Sequence, residues 1–478
     1  METEVTYRLG NGALQRLCGL AEARCCGNLR RFGADTVLVE GGGYEKVWLE
    51  TQPMGGEMYA KRNLAVGLAN QRIFMAHQRA DGRLPGSVKL EGGVPVPEYN
   101  KLQGFCFPAP ALNLYYLCGE DKAYLLRLRD CLAAFDAYLW RTRACRDGVL
   151  CSWCVCDTGE DHALRYGDAP FWWEGETPPE GYRSVPMRSM DVTAYSFAAR
   201  SALADIGVLL ADGSAAGWRR GAQAVRERIG AYFWNGERGA CFDRGPDATP
   251  QTTLCHNTLR LMYWGALTPG QARRFVREHL LNPDEFYTPM PLPSVAANDP
   301  LFRNVPANDW SGQPEGLTYQ RAIRALENYG FLKEITLLGR KLFAALLGAG
   351  GVFPQQFDPF TGAASPTENG DYGPTALALL EYVSRLYGVH IERREVYFGL
   401  LGGMPVTYEQ RWGRRRYRLE SDGAHARIFV NGAPRWGSPC GVRLVTDWDG
   451  ALLRAEAIDP DGPETAGPGS ITDLGGGL

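Results

Sequence analysis

Carboxylates, aromatic rings and arginines are concentrated in loop-like segments of this sequence, where a rigid scaffold commonly presents its reactive groups. In one of them, residues 156–168, the carboxyl groups of Asp157, Glu160 and Asp161 lie close together. Carboxyl groups can donate a proton to a leaving group or take one from water. The spacing alone favours a solvated acidic turn, with acid–base catalysis as the alternative. The other segments are 47–63 with 78–86, 188–196, 292–331 and 353–377.

The sequence holds 12 Trp, 22 Tyr and 19 Phe, and many of these stand in Gly- and Pro-containing segments outside regular apolar stripes. Sugar rings stack on aromatic faces through their C–H groups. Core packing is the alternative for each ring taken singly. The aromatic supply therefore permits carbohydrate binding without requiring it.

Two patterns that could hold a metal or a nucleotide are weak. Cys151, Cys154 and Cys156 stand near His162, but no second Cys pair follows at the spacing of a zinc site. The run Gly41-Gly42-Gly43 lacks a following Lys-Ser/Thr pair and indicates a turn. We expect no metal and no cofactor.

Composition excludes several classes of protein. The net charge of −3 over 478 residues is too balanced to favour nucleic acid or an anionic membrane. The N-terminal residues METEVTYRLGNG do not look like a signal peptide, and no later segment has the apolar length of a bilayer span. The 13 cysteines are odd in number and scattered, which favours free thiols in a reducing compartment. We expect a cytoplasmic enzyme; the sequence is silent on its oligomeric state.

The loops alternate with amphipathic segments that predict paired helices. After His390 the pattern changes to short alternating strands separated by Gly, Asp or Asn. We expect an N-terminal segment (1–44), a helical domain (45–390), a small β domain (391–460) and a mobile tail (461–478). The predicted helices are 55–78, 105–119, 121–143, 188–210, 214–234, 252–265, 268–281, 312–330, 332–348 and 371–388, with 13–32 as a candidate for another.

Four motifs, in their order, carry a family resemblance. They are Trp48 to Thr51 followed by Gln78 to Gly82, then Thr158 to His162, then Trp310 to Glu315, and last Asp358 to Gly362. Over residues 45–388 the chain resembles the glycoside hydrolases of the trehalase and processing α-glucosidase I clan. That clan includes the small bacterial mannosylglycerate and glucosylglycerate hydrolases. The resemblance implies a mainly α fold, an (α/α)6 helical-hairpin barrel with its site at one end.

The resemblance also implies the reaction. Glycoside hydrolysis needs an acid on the leaving oxygen and, in inverting enzymes, a carboxylate that activates water. The family's acid matches Asp161, whose pKa a pocket of Trp153, Trp172 and Trp173 could raise. The family's base falls on Gln355, whose amide cannot take a proton from water. Either the register differs, or Glu368 or Glu315 replaces the base, with Glu368 preferred, or the reaction uses no protein base.

Substrate contacts follow from the same loops. Glu50 could hold sugar hydroxyls where the family has an Asp, and Asp191 is the best placed of the others by resemblance. Arginines near the mouth would suit an anionic aglycone or a phosphate, with helix capping and ion pairing as their alternative roles. The remaining candidates are Trp48, Arg62, Asn63, Trp153, Arg165, Trp173, Arg188, Asn308, Asp309, Trp310 and Gln355.

These observations predict an inverting glycosidase that acts on a small intracellular α-glycoside or oligosaccharide, with Asp161 as its acid. A phosphorylase is one alternative, because phosphate would replace the missing base. A sugar-binding protein on the same scaffold is another. An isomerase ranks last, since such enzymes usually rely on paired histidines and no pair is evident among six His.

Overall fold

The structure is a computed structural model that describes residues 1–366, 370–462 and 471–475. The described residues form twelve α-helices. Their bounds are Gly12–Gly27 (α1), Thr51–Tyr59 (α2), Leu64–Ala76 (α3), Pro108–Leu117 (α4), Lys122–Thr142 (α5), Met190–Leu210 (α6), Ala215–Tyr232 (α7), Asn257–Trp264 (α8), Pro269–Phe275 (α9), Gly316–Glu327 (α10), Leu332–Gly348 (α11) and Gly373–Tyr387 (α12).

The helices differ in burial in a regular way. Almost all residues of α2, α4, α8, α10 and α12, and most of α6, are buried. In contrast α1, α5, α7, α9 and α11 keep a polar side towards solvent. Helix α3 is also largely buried, because the strand Asp35–Leu38 packs on it. The even-numbered helices are therefore inner helices, and most odd-numbered ones cover them.

The packing follows sequence patterns that are easy to identify. In α11 the buried residues include Leu332, Ile335, Leu338, Leu342 and Leu346, which recur three and four positions apart and so share one face. Helix α6 packs on α5 and α7, α10 packs on α8 and α12, and α12 also packs on α1 and α2. The last helix thus lies against the first ones.

The strands form antiparallel sheets. The largest has the order β1-β13-β14-β15-β16-β19, and a second has the order β11-β12-β17-β18. The smaller sheets are β4-β5-β6, β2-β3, β7-β8 and β9-β10. The bounds are Thr3–Leu9 (β1), Leu29–Phe32 (β2), Asp35–Leu38 (β3), Val47–Trp48 (β4), Ser87–Glu91 (β5), Val94–Glu98 (β6), Cys151–Ser152 (β7), Met187–Arg188 (β8), Trp234–Asn235 (β9), Ala240–Cys241 (β10), Val389–Glu392 (β11), Glu395–Leu400 (β12), Val406–Trp412 (β13), Arg415–Ser421 (β14), His425–Val430 (β15), Ala433–Pro439 (β16), Val442–Asp447 (β17), Leu452–Ala457 (β18) and Thr472–Asp473 (β19).

The mainly helical class with a small sheet domain is confirmed. The single helix predicted over 55–78 is wrong: the chain turns at residues 60–63 and forms α2 and α3. The cause is Asn63, which caps α3 by accepting a hydrogen bond from the backbone N–H of Val66 (3.3 Å). The candidate segment 13–32 supplies α1.

Strands from near both ends of the chain belong to one sheet. Strand β1 pairs with β13 over its whole length, from Thr3 opposite Trp412 to Leu9 opposite Val406. Part of the predicted N-terminal segment therefore completes the C-terminal sheet, while the domain boundaries themselves stay predictions. In the predicted tail β19 pairs with β16, and residues 463–470 and 476–478 lie outside the described residues.

One expectation about cysteines is corrected. Cys145 and Cys151 form a disulfide across a hairpin-like turn, with their Cα atoms 6.4 Å apart, whereas free thiols were expected throughout. The spatial closeness of these two residues comes from the pairing of residues 144 and 150 across that turn. In the part of the chain that the structure describes, no helix has the length and apolarity of a membrane span.

Thr3 is a test of how β1 is attached to the helices. Its hydroxyl donates to the carbonyl of Ala60 (2.7 Å) and accepts from the N–H of Leu64 (3.0 Å), and all three groups are buried. We expect Thr3→Val to lower the free energy of unfolding by about 1–3 kcal/mol, because two buried backbone groups lose their partner. Urea denaturation measures the loss.

The matched control is Thr6→Val in the same strand, where the side chain is exposed. Its effect should stay within about 0.5 kcal/mol, as for most surface substitutions. Equal losses for the two variants would contradict the role given to Thr3.

Candidate active site

A cavity of about 270 Å³ opens among the loops that precede the inner helices. Glu50 and Tyr372 stand immediately before α2 and α12, and Leu317 is in the first turn of α10. The N-terminal ends of these helices therefore surround it, and their dipoles favour negative charge there. The lining residues are Glu40, Tyr44, Lys46, Trp48, Glu50, Thr51, Glu98, Asn100, Lys101, Gln103, Cys156, Gly159, Asp161, Phe171, Trp172, Asn308, Trp310, Leu317, Gln355 and Tyr372.

Asp161 lies in the wall of this cavity with few polar partners. Its Oδ2 accepts a hydrogen bond from Nδ2 of Asn308 (2.6 Å), and the thiol of Cys156 lies 3.6 Å from Oδ1. Burial raises the pKa of the Asp161 carboxyl, and the hydrogen bonds from Asn308 and Cys156 oppose that rise only in part. The carboxyl group is thus biased towards its protonated form.

Asn308 is held by a chain of amide contacts. Its Oδ1 accepts from Nε2 of Gln355 (2.7 Å) and from the indole N–H of Trp310 (3.1 Å). The backbone N–H of Trp310 in turn donates to the carbonyl of Asp161 (3.0 Å). Ala307 and Asn308 both have left-handed backbone conformations, with φ of 85° and 56°. For Ala307 that conformation is strained, and such strain is often found at functional sites.

A cluster of buried ion pairs supports the Asp161 loop from below. Arg165 contacts the carboxylates of Glu160, Asp191 and Asp243. Arg260 lies 3.1 Å from Glu160 and 3.7 Å from Asp191. Burial would raise the pKa of Glu160, but the two guanidinium groups hold it well below its usual range. These residues are buried and paired with one another, and none of them lines the cavity, so they position the loop.

Glu50 links this cluster to the cavity. Its Oε1 pairs with Arg321 and lies 3.6 Å from Arg260, and its side chain is buried. Burial raises the pKa of Glu50 to about 7 despite the two arginines. Gly159 and Gly104, both in left-handed conformations, face its carboxylate so closely that a Cβ at either position would collide with it. The loop of Asp161 is therefore packed directly on Glu50.

Glu40 is a second buried carboxylate of the cavity wall. It precedes Gly41, Gly42 and Gly43, which all have positive φ and turn the chain sharply behind it. Its Oε1 accepts a hydrogen bond from the hydroxyl of Tyr372 (2.6 Å). Burial raises the pKa of Glu40 to about 8, and the nearby Glu50 and Asp161 carboxyls add to the rise.

The mouth of the cavity combines an aromatic face with a compensated charge cluster. The ammonium groups of Lys46 and Lys101 each lie 5.1 Å from the ring centre of Trp48. Glu98 is 2.9 Å from Lys46 and 3.6 Å from Lys101. Trp172 is largely exposed beside this opening. The ring faces are available for an apolar sugar surface, while the charges are mostly paired with each other.

The structure brings together six of the predicted site residues in the cavity lining: Trp48, Glu50, Asp161, Asn308, Trp310 and Gln355. The others do not line it. Three of them form ion pairs away from the cavity: Arg62 with Glu22, Arg188 with Asp147 and Asp309 with Arg303. Arg165 and Asp191 belong to the buried cluster, and Asn63 caps α3. Trp153 packs under Arg143, and Trp173 donates a hydrogen bond to the carbonyl of Thr177.

The two predicted substitutes for the base differ in placement. Glu368 lies outside the described residues. Glu315 stands just before α10, is fully buried and is not part of the cavity lining. Burial raises the pKa of Glu315 well above its usual range, so its carboxyl is held neutral. Their roles stay predictions.

The lining residues that the sequence did not predict include Glu40, Tyr44, Lys46, Lys101 and Tyr372. A signal for Glu40 was present: three consecutive glycines after a carboxylate allow a turn that presents it to a cavity. Lys101 stands next to no motif, and Tyr372 lies in the segment 353–377 without a pattern that marks it as a lining residue. Within the described ranges no group of three His, Cys, Asp or Glu side chains is arranged to hold a metal ion.

Comparisons with known proteins agree with this geometry. A sequence model of the mannosylglycerate hydrolase MGH1-like glycoside hydrolase domain matches residues 55–374. No curated protein sequence matches the chain significantly. Many solved structures are similar in fold, and three of them illustrate the range.

A GH63 mannosylglycerate hydrolase from Thermus thermophilus in complex with glucose has 19% identity and a TM-score of 0.61, covering 77% of this chain and 99% of its own. The neutral trehalase of Saccharomyces cerevisiae has 14% identity and a TM-score of 0.56, covering 76% and 79%. A GH78 rhamnosidase of Bacillus sp. GL1 has 11% identity and a TM-score of 0.61, covering 89% and 40%. At these identities the likeness shows the fold alone.

The close packing of Gly159 on Glu50 gives a testable result. We expect Gly159→Ala to destabilise the protein by about 1–3 kcal/mol more than left-handed strain alone, because the added methyl group overlaps a buried carboxylate. Chemical denaturation measures the difference. Gly181→Ala is the matched control, since Gly181 has a similar φ (85°) with no atom near its would-be Cβ. Equal destabilisation would mean that Glu50 does not pack as described.

Proposed function

We propose that this chain, which belongs to the MGH1-like glycoside hydrolase family, is an inverting glycosidase that acts on a small α-glycoside or oligosaccharide. The family makes the chain a glycosidase. The mechanism, the size and anomer of the substrate, and the role of each residue are the proposal. The observation that carries it is the placement of Asp161: a half-buried carboxyl group with a raised pKa in the wall of a cavity faced with aromatic rings.

The fold supports a specific scaffold for this reaction. Inner and outer helices alternate along the chain, and the last helix packs on α1 and α2. A ring of six helical hairpins closed on itself, the (α/α)6 barrel, would produce this alternation. All the loops that line the cavity would then lie at one end of the barrel, where the inner helices begin.

Asp161 is proposed as the general acid. A glycosidic oxygen leaves as an alcohol only if it receives a proton as its bond to the anomeric carbon breaks. An acid serves this step when it keeps its proton near neutral pH, and burial favours the protonated form of Asp161. The hydrogen bond from Asn308 to Oδ2 leaves Oδ1 with only the weak thiol donor, so Oδ1 can present the proton to the cavity.

The dimensions of the cavity favour a small substrate. Its volume of about 270 Å³ is at the low end of ligand pockets, which have roughly 300–1,000 Å³. Trp48, Phe171, Trp172 and Trp310 supply ring faces on which a sugar can stack. The names of two similar structures, mannosylglycerate hydrolase and neutral trehalase, also denote hydrolases of small glycosides.

Asp161→Asn tests the acid. We expect turnover of unactivated glycosides to fall by about 10²–10⁴-fold, because an amide cannot protonate the leaving oxygen. Activity is measured as reducing sugar released from a panel of small α-glycosides, with and without phosphate. NMR of the first product anomer tests inversion.

Asp168→Asn is the matched control, since Asp168 is in the same loop region but contacts Arg183 and Ser184 at the surface. It should keep wild-type turnover. Full activity of Asp161→Asn would refute the assignment, and turnover that requires phosphate would replace hydrolysis with phosphorolysis.

The hydrogen bond from Asn308 gives a prediction about pH. This bond lowers the pKa of Asp161, as do His162 and Lys101 through their charges. Asn308→Leu removes the bond, so the pKa of Asp161 should rise. Since the acid must be protonated, the alkaline limb of the kcat/KM profile should move to higher pH, together with a lower maximum. An unmoved limb, or one at lower pH, would contradict the proposal.

A further inference from the structure

We propose that Glu40 is the general base of this enzyme, which takes the proton from the attacking water. This inference rests on the proposed function, because it names the partner of Asp161 in the same reaction. The position where the family resemblance places a base holds Gln355, and neither Glu315 nor Glu368 is a described residue of the cavity lining.

Several carboxylates reach the cavity. Among the described residues, four line it: Glu40, Glu50, Glu98 and Asp161. A base for water needs a carboxylate oxygen that faces open space and is not engaged by a cation. With Asp161 as the acid, the three glutamates can be compared on that criterion.

Glu98 and Glu50 do not meet this criterion. Oε1 of Glu98 accepts from Lys46 (3.0 Å), and Oε2 accepts from Lys46 (2.9 Å) and Ser87 (2.5 Å). Glu50 is clamped by Arg321 and Arg260, and its carboxylate is packed against Gly159. An ion-paired carboxylate is a weak base, since protonation would break the pair.

Glu40 meets the criterion. Its one hydrogen bond to a described residue comes from Tyr372 to Oε1, and no cation pairs with it there. The bond fixes the orientation of the carboxyl group, and Oε2 has no hydrogen-bond partner among the described residues in a side chain that lines the cavity. The main chain is fixed as well: the N–H of Gly373 donates to the carbonyl of Glu40 (3.0 Å), and the N–H of Glu40 donates to that of Lys46 (3.3 Å).

The proposed hydrolysis uses one proton acceptor and one proton donor. The oxygen of water attacks the anomeric carbon while its proton passes to Oε2 of Glu40. The bond from that carbon to the glycosidic oxygen breaks, and the proton of Asp161 goes to the leaving oxygen. The products are a free sugar of inverted configuration and an alcohol, and the two carboxyl groups then exchange one proton with solvent.

Electrostatics couples Glu40 to Asp161. The ionisable groups that act on Glu40 are Tyr372, Glu50, Asp161 and Tyr44. Burial raises the pKa of Glu40 to about 8, so its ionised form, which acts as the base, is a stronger base than an exposed carboxylate and predominates above about pH 8. Because Glu40 and Asp161 repel each other when both are charged, they titrate as a pair and favour the state with one shared proton.

The test compares Glu40→Gln with variants of the other candidates. We expect Glu40→Gln to reduce kcat for a glycosyl fluoride by about 10²–10⁴-fold with little change in thermal stability. It should also abolish the acidic limb of the pH profile, where a base is protonated. Glu45→Gln is the matched control in the same loop, since Glu45 is exposed and pairs only with Arg30. It should keep wild-type turnover.

Chemical rescue separates a base from a structural residue. In Glu40→Ala, azide should restore turnover and yield a glycosyl azide of inverted configuration, because an anion needs no base. Tyr372→Phe keeps Glu40 but removes the bond that lowers its pKa. Its acidic limb should therefore move to higher pH, which checks the inference even where Glu40 variants fold poorly.

The outcomes are distinct. Absence of turnover by the wild-type enzyme on every glycoside refutes the proposed function itself. If Asp161→Asn is inactive while Glu40→Gln keeps the wild-type rate, only the inference on Glu40 fails. Loss of activity and azide rescue in Glu315 or Glu368 variants, with Glu40→Gln unaffected, assigns the base to that residue and overturns the inference.

Discussion

Three buried arginines fix the floor of the cavity, and the loop that carries Asp161 depends on them. Arg165, Arg260 and Arg321 are each almost inaccessible to water. Burying a guanidinium group is costly unless carboxylates compensate it in good geometry. Glu160 and Glu50 provide that compensation from the two loops that meet at the cavity. Position and charge are therefore coupled: neither loop can move without leaving a buried charge unpaired.

The buried arginines also make Glu160 differ from its neighbour Asp161 in ionisation. Below the cavity, Glu160 faces Arg165 and Arg260 and stays ionised. In the cavity wall, Glu40 is buried and Asp161 half-buried, neither is paired with a cation of the described residues, and loss of water contact raises the pKa of both. In a chain segment with Glu160 and Asp161 side by side, the first is thus an ion-paired carboxylate and the second a carboxyl group with a raised pKa.

The sequence predicted the elements better than the roles of charged residues. Apolar periodicity located most helices, including α11, because buried faces leave a local pattern. It merged α2 with α3, since the cap at Asn63 is a local interaction inside an otherwise continuous apolar segment. For Arg165 and Asp191 the residue types suit substrate contacts equally well, and only tertiary packing shows that they neutralise each other. Motif order located the Asp161 loop, and the fold around Glu40 had no such motif.

The amide of Gln355 determines which groups can surround the proposed acid. At the position where the family resemblance places a base, its amide donates to Asn308, and Asn308 donates to Asp161. A carboxylate at 355 could not donate this bond. It would also add a third negative charge beside Glu40 and Asp161, which would disfavour ionisation of either one. The amide therefore orients the proposed acid through Asn308, and in the proposed mechanism a carboxylate on another loop activates water. In that mechanism the acid keeps the position that the family resemblance gives it, and only the loop that supplies the base differs.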